Sequence, residues 1–416
     1  MISEPRRAFV WGWPDEASDP VVIGVLDQRA DRIVFTYGAS YRRAGGPPVY
    51  LPELPVRQGP ILPRGDLTLA GCISDAGPDA WGQRVIVNRL VGRAAAADTD
   101  PGDVSPLTYL LESGSDRIGA LDFHESATIY EPRGVAVATL DQLVRAAELV
   151  EQGVPLPPDL DAALLHGSSV GGARPKALLR TGDRTCIAKF SSSTDTFAVV
   201  KAEYVAMALA RRAGLEAAPV TMTRALGKDV LLVERFDRTV GGGRRSVVSA
   251  LTILELDAFT GARYASYADL ADEILIRFTQ PLETLRELFS RITFNVLVGN
   301  TDDHARNHSA FWNWRGETLT LTPAYDICPQ PRAGGEATQA MAIDRGGRRF
   351  SQISACIATA GTYQLSAGQA REIVDRQVHA IEDGWTDVCD EARLSEVDRR
   401  YLWHRQFLNP YAFYEA

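Results

Sequence analysis

The segment Asn300-Thr301-Asp302-Asp303-His304-Ala305-Arg306-Asn307 narrows the possibilities for this chain more than any other. It sets a carboxylate five positions ahead of a carboxamide, at the point where a long amphipathic helical pattern runs out. That pattern opens at Pro281, which suits a first helical position because it needs no N–H partner there. It then places Leu285, Leu288, Phe289, Ile292 and Val296 on one face. After Asn307, residues 309–314 and 318–322 read as a hairpin around Arg315-Gly316-Glu317, and Tyr325-Asp326-Ile327 follows at once. A hairpin brings its ends together, so Asp326 should return beside Asn307. Phosphoryl transfer requires such a set. One carboxylate orients an attacking hydroxyl and accepts its proton, and nearby oxygens hold a metal on the phosphates. Asp302 fits the first role. Asn307 and Asp326 fit the second, since Mg²⁺ takes few protein carboxylates and completes its shell with phosphate and water. A D-x-x-x-x-N string alone arises by accident in many loops, and Asp326 alone is a turn aspartate; the combination is the signal. Asp303 is a neighbouring alternative, but the spacing to Asn307 favours Asp302.

Three further pieces precede this one in the order such chemistry needs. Ser168-Ser169-Val170-Gly171-Gly172-Ala173-Arg174-Pro175-Lys176 stands just before a strand pattern at Ala177. Its small residues let the backbone N–H groups of Val170, Gly171, Gly172 and Ala173 approach an anion. The G-K-[ST] ending of a Walker A loop is absent, and a plain β-turn is the bland reading. Lys189 follows on a strand where Cys186, Ala188 and Phe190 alternate with Ile187 and Lys189. A lysine in an apolar strand must reach water or an anion. A glycine loop, a hairpin and then a lysine is the order of a kinase N-lobe. Glu203, on the next helix, is a candidate partner for Lys189 or else a solvated helix position. Lastly, Val233-Glu234-Arg235-Phe236-Asp237 is an extended stretch whose backbone could meet an adenine edge, with Phe236 as a wall.

The chain's 416 residues suffice for one large two-lobed enzyme. Its net charge of −9 argues against a stand-alone nucleic-acid binder, so any DNA role needs a basic partner. No apolar run approaches the roughly 18–20 residues of a membrane span, and the N-terminus carries no secretory pattern; a soluble cytoplasmic protein is expected. Cys72, Cys186, Cys328, Cys356 and Cys389 stand singly, which argues against a disulfide framework or structural zinc and for buried thiols.

Periodicity gives the remaining elements. Residues 21–26 and 32–37 read as a hairpin whose turn holds Asp27 and Asp31. Residues 45–63 are loop, 81–91 and 103–111 helical, and 119–123 a short strand. Thr139-Leu140-Asp141-Gln142 is a capping box opening a helix to about Glu151. Residues 177–180 with 185–190, and 219–224 with 229–234, read as hairpins flanking a helix over 201–213 that stops at Gly214. Beyond Asp237 the chain is mostly helical.

These strings together resemble the HipA family of bacterial toxin serine/threonine kinases along nearly the whole length. Its marks are Pro78-Asp79-Ala80-Trp81-Gly82, Asp116-Arg117-Ile118-Gly119-Ala120-Leu121, the loop 169–176, Val233-Glu234-Arg235-Phe236-Asp237-Arg238, residues 299–307, and Pro323-Ala324-Tyr325-Asp326. The resemblance implies an α+β, two-lobed, protein-kinase-like fold. It would comprise an extra β-rich N-terminal subdomain (1–125), the nucleotide-binding part of the N-lobe (126–236) and a mostly helical C-terminal lobe with the catalytic loop (237–416). It implies ATP and Mg²⁺ as cofactors. Lys189 would meet the ATP phosphates, Glu234 and Phe236 the adenine, and the loop Val170–Ala173 would cover the nucleotide. Asp302 would be catalytic, and Asn307 and Asp326 would hold the metal. Ser169 matches a loop serine that family members autophosphorylate, with Ser168 beside it as the alternative. The implied partners are a HipB-like helix-turn-helix antitoxin, through which alone DNA is met, and a protein substrate such as an aminoacyl-tRNA synthetase. Two competing functions remain: a catalytically weak co-repressor module acting with the antitoxin at operator DNA, and a kinase for a small molecule.

Overall fold

The computed structural model describes residues 4–96, 100–134, 138–152, 154, 156, 157, 160, 174–182, 184–192, 195–239, 241–332 and 334–415. The fold is α+β, as expected. The chain forms two compact units, one of residues 1–193, 223–248 and 311–317, the other of residues 194–222, 249–310 and 318–416.

The first unit contains two antiparallel sheets. One has the order β3-β2-β1-β4, from β1 (Arg7–Gly12), β2 (Val21–Arg29), β3 (Arg32–Tyr37) and β4 (Leu121–His124). The expected hairpin is β2–β3, but β2 runs on to Arg29, so only Ala30 and Asp31 turn. Asp27 is therefore a strand residue opposite Val34, paired with Arg7 at 2.6 Å. The second sheet has β6 (Arg184–Phe190) between β5 (Lys176–Thr181) and β7 (Lys228–Glu234). Along β6 the inward Cys186, Ala188 and Phe190 are buried and the residues between are half-buried, as the alternation required. Behind this sheet the helices Ala80–Ala96 and Leu140–Glu151 supply Trp81, Val85, Leu143 and Val144 to a core with Ala177, Ala188 and Phe190. The Thr139 capping box is formed. Asp79 caps the other helix by accepting from the Trp81 and Gly82 N–H groups at 3.2 and 3.3 Å. It also lies 3.6 Å from the buried Lys176 ammonium, while the Trp81 indole donates to the Lys176 carbonyl. The Pro78–Gly82 string is thus a helix start bolted to a strand.

The strings 116–121 and 233–238 meet in a buried ionic network in this unit. Asp237 accepts from Arg235 Nε at 2.9 Å, from Arg238 at 3.0 Å and from the Gly119 N–H at 2.8 Å. Asp116 accepts from Arg235 at 3.0 Å and Arg238 at 2.5 Å, and the Arg117 carbonyl takes both guanidinium groups. Gly119 sits at φ +81°, a conformation that glycine tolerates at little cost. Burial alone would raise the Asp116 and Asp237 carboxyls. Arg235 and Arg238 overcome that, holding Asp116 far below the carboxylate range and Asp237 at about 2. In the unfolded chain both titrate near ~3.9. Between that value and about 2 the unfolded state binds more protons than the folded one. Stability is therefore complete above roughly pH 5 and falls as pH drops through this window, by ~2–3 kcal/mol for Asp237 alone. Urea midpoints measured from pH 6 to pH 2.5 should fall steeply below pH 4; a flat profile there would exclude charged carboxylates in the network.

The second unit is mostly helical. Its central helix, Pro281–Leu297, begins at proline as expected. The predicted stripe is buried: Leu285, Leu288, Phe289 and Val296 are 0 % exposed and Ile292 2 %. Each such side chain contributes about 1.5–3 kcal/mol. The last three turns are buried on the polar side too, which periodicity did not foretell. There Arg291 donates to the Thr322 carbonyl at 2.8 Å, Thr293 to Gln377 at 2.9 Å, and Asn295 accepts from Asn300 at 2.9 Å. The helix Val199–Arg212 runs two residues longer at its start than predicted and ends before Gly214 at φ +87°. All five cysteines are buried and free. Among the described residues, no helix is long and apolar enough to cross a membrane.

Candidate active site

The central helix stops because Gly299 adopts φ +71° and packs so closely on Gln406 that an added Cβ would lie 2.8 Å from its carbonyl oxygen. The loop that follows folds around one acceptor, the Asp302 carbonyl. The His304 N–H donates to it at 2.9 Å and the Asn307 Nδ2 at 3.3 Å. With its amide nitrogen so engaged, Asn307 has Oδ1 as its side-chain acceptor. The hairpin then closes, with the Thr322 N–H donating to the Ser309 carbonyl at 2.9 Å. Tyr325 is pinned to the loop, its hydroxyl lying 2.6 Å from both Ser309 Oγ and the Arg306 carbonyl. Asp326 follows at φ +58°, an unusual conformation for a non-glycine residue and one that gathers at functional sites. Asn300 Nδ2 reaches the Asp326 carbonyl at 3.5 Å. Within the second unit Asp302 and Asn307 are thus joined by a direct bond, while Asp326 is held by Asn300 on the same loop and follows Tyr325, which is tied to that loop at Arg306.

The two adjacent aspartates differ sharply. Asp303 is buried, and its carboxylate accepts from the Tyr267 hydroxyl at 2.6 Å and pairs with His308 Nε2 at 2.9 Å. Burial would raise it, but His308 and Tyr267 hold it below the usual value. Asp302 reaches solvent. Partial desolvation raises its carboxyl, His304 offsets part of that, and the charges of Asp326 and Asp303 add to the rise. A carboxylate that is raised and reachable suits proton acceptance; one that is buried and saturated does not. Tyr267→Phe should remove a buried bond to a charged group and cost about 1.5–3 kcal/mol of stability, read as a lower urea midpoint, while the folded protein keeps its activity. An unchanged midpoint would show that Asp303 is not anchored this way.

The chemistry of these residues suits a divalent cation. Asp302 and Asp326 repel each other, which a cation would relieve. Asn300 Oδ1 is a buried acceptor with no hydrogen-bond partner among the described residues. No cluster of three His, Cys, Asp or Glu side chains suited to a metal exists among the described residues, and a site of one carboxylate and one carboxamide with water and phosphate is of the Mg²⁺ kind.

The other predicted residues lie in the first unit or outside the described residues. Lys189 is half-buried on β6, opposite Lys176 on one side and Leu231 on the other. The Glu234 carboxylate is paired with Arg184 at 3.1 Å, and its backbone stands opposite Cys186 in the sheet. The Arg235 N–H is spent on the Thr185 carbonyl. Phe236 meets Phe311 edge-on at 5.8 Å, and Arg245 covers Phe311 at 3.6 Å. Glu203 is buried on its helix in the second unit. Ser168, Ser169, Val170, Gly171, Gly172 and Ala173 lie outside the described residues. No role for Tyr267 or His308 was legible in the sequence, and Asn300 and Tyr325 stood only as members of the strings around Asp302 and Asp326.

The HipA-like C-terminal domain matches residues 168–385 and the HipA N-terminal domain residues 18–124. The chain belongs to the HipA family. Across 95% of this HipA-family chain and 98% of the other, the backbone is similar to a HipA of Shewanella oneidensis MR-1, solved with HipB and its operator DNA, at TM-score 0.62 and 19% identity. The Helicobacter pylori proinflammatory kinase CtkA gives TM-score 0.38 at 14% identity, over 56% of this chain and 94% of its own. A protein of Sinorhizobium fredii described as "Putative kinase Y4mE" is 27% identical over 148 residues. That match spans 34% of this chain and 33% of the relative, so the chain matches about a third of the relative's length.

Proposed function

We propose that this HipA-family chain is a toxin serine/threonine protein kinase. It transfers the γ-phosphate of ATP to a hydroxyl of a protein substrate, an aminoacyl-tRNA synthetase being one such substrate, and to its own Ser169. The observation that supports this most is the Asp302–Asn307 bond with the Asp326 charge acting on Asp302, while Asp303 is withdrawn into the Tyr267–His308 pair. Asp302 orients the acceptor hydroxyl and takes its proton as the oxygen bonds to the γ-phosphorus and ADP leaves. Asn307 and Asp326 hold Mg²⁺, which when bound neutralises phosphate charge. In the first unit, Lys189 offsets charge on the ATP phosphates, Val170 to Ala173 cover them, and the Glu234–Phe236 stretch receives the adenine. On this reading residues 1–125 are the family's N-terminal subdomain, 126–236 the nucleotide-binding part and 237–416 the catalytic lobe. A HipB-like antitoxin is the expected partner, in line with the complex in which the Shewanella protein was solved, and operator DNA is met only through it.

Incubating the purified chain with ATP and Mg²⁺, then locating the mass gain, tests the reading. Phosphate on Ser169, and label passing from ATP into a protein of a cytosolic extract, are expected. Label confined to small metabolites would replace the protein substrate with a small one. No transfer at all, alongside intact antitoxin and operator binding, would leave a co-repressor module.

A further inference from the structure

A second site lies in the same unit as the catalytic loop. The loop after Asp326 and the C-terminal segment enclose a groove of about 580 Å³, lined by Arg332, Glu336, Arg405 and Tyr411 among others. Both walls are tied to the catalytic loop. The Gln330 N–H donates to the Gly299 carbonyl at 3.0 Å and the Ala340 N–H to the Thr301 carbonyl at 3.0 Å. On the opposite wall the Leu408 N–H donates to the Leu297 carbonyl at 2.7 Å, and Gln406 packs on Gly299.

Arg332 is the anomaly. It is only 5 % exposed, yet its Nε has no hydrogen-bond partner among the described residues. Its other nitrogens meet only neutral oxygens at long range, the Gly335 carbonyl at 3.4 Å and Ser351 Oγ at 3.3 Å. Ser351 Oγ is shared with Gln339. Desolvation pulls the guanidinium below its ordinary value, and among the described residues the group that acts against this is the hydroxyl of Tyr411, not a carboxylate. A buried cation without an anion costs several kcal/mol. The exposed Arg405 lines the same groove, its guanidinium over the Tyr401 ring at 4.6 Å and one nitrogen on the Arg332 carbonyl at 3.2 Å. Two guanidinium groups on one concave surface match the paired oxygens of a carboxylate or phosphate. Glu336, on the rim, acts on Tyr411 rather than on Arg332.

We propose that this groove is an oxyanion-binding subsite in which Arg332 and Arg405 grip a carboxylate or phosphate group. Its place beside the catalytic loop suits an acidic or phosphorylated stretch of the protein being modified; that role rests on the kinase reading, whereas the binding itself does not. Titration calorimetry on the full chain at constant ionic strength tests it, first with inorganic phosphate, then with a short peptide of aspartates and glutamates beside its amide counterpart. Saturable binding of phosphate is expected, weakened tenfold or more in Arg405→Ala and in Arg332→Gln, strengthened in Glu336→Gln and unchanged in Asp302→Ala. Competition by the acidic peptide, and not by its amide form, assigns the subsite to carboxylates; phosphate binding without peptide competition assigns it to phosphoryl groups. Arg405 is exposed, so its variant reports even if Arg332→Gln fails to fold. Absence of phosphate binding, or equal binding in Arg405→Ala, overturns the proposal, as does a Glu336→Gln variant that unfolds, which would make Glu336 the internal partner of Arg332. A chain that binds phosphate yet transfers none from ATP removes the kinase reading and keeps the subsite.

Discussion

On the proposed kinase reading, Asp302→Ala is expected to lower phosphoryl transfer by roughly a thousandfold, with the thermal midpoint unchanged to within about a degree. The expected rate effect follows from the role proposed for Asp302, since a positioned base contributes roughly 10²–10⁴. The stability effect follows from exposure. The Asp302 side chain reaches solvent, and the hydrogen bonds that shape the loop go to its backbone carbonyl, which alanine retains. Removing a carboxylate that is repelled by Asp326 and Asp303 also relieves charge. Asp303→Asn should show the reverse, because its charge serves the buried His308 and Tyr267 contacts. It should lose stability first, with activity falling only as the folded fraction falls. Single-turnover transfer from ATP and a thermal melt on each variant decide the matter. An active Asp302→Ala chain, or an Asp303→Asn chain that is fully stable and inactive, would reassign the catalytic role.

Asp237→Ala is expected to lower the unfolding free energy by ~3–5 kcal/mol, the usual cost of removing one partner from a buried ion pair. Four bonds go at once: two from Arg235, one from Arg238 and one from the Gly119 N–H. The two guanidinium groups remain, with Asp116 as their only nearby carboxylate among the described residues. Water cannot readily replace what is lost, since Asp237 is 1 % exposed and Arg235 6 %. Asp237→Asn, of the same shape, should recover part of the loss by keeping an acceptor. Urea titrations at pH 7 give the comparison. A loss under about 1 kcal/mol for Asp237→Ala would mean that the network reorganises and that the string 233–238 has some other purpose than joining residues 116–119.

Much of this molecule was legible locally. The helix Pro281–Leu297 announced itself by a proline start and an apolar face, and the capping box at Thr139 formed as written. The alternation along Arg184–Phe190 put Lys189 on the less buried side. The hairpin read after Asn307 also forms, with the Thr322 N–H closing on the Ser309 carbonyl and Asp326 following it. These signals depend on backbone geometry over a few residues, where periods of two and 3.6 translate directly into faces.

Partnership is a different matter. Asp302 and Asp303 are neighbours of the same type, and only the packing of Tyr267, 36 positions earlier, onto one of them separates a reachable carboxylate from a saturated one. Arg235 reads as part of an adenine-facing stretch until Asp116, 119 positions away, arrives beside it. Arg332 looks like any loop arginine until the surrounding chain buries it without an anion. The period and the turn are properties of adjacent residues, so the chain states them outright. The charge that a side chain finally faces, and the water it loses, depend on which distant segment is folded against it, and no short stretch of sequence carries that information.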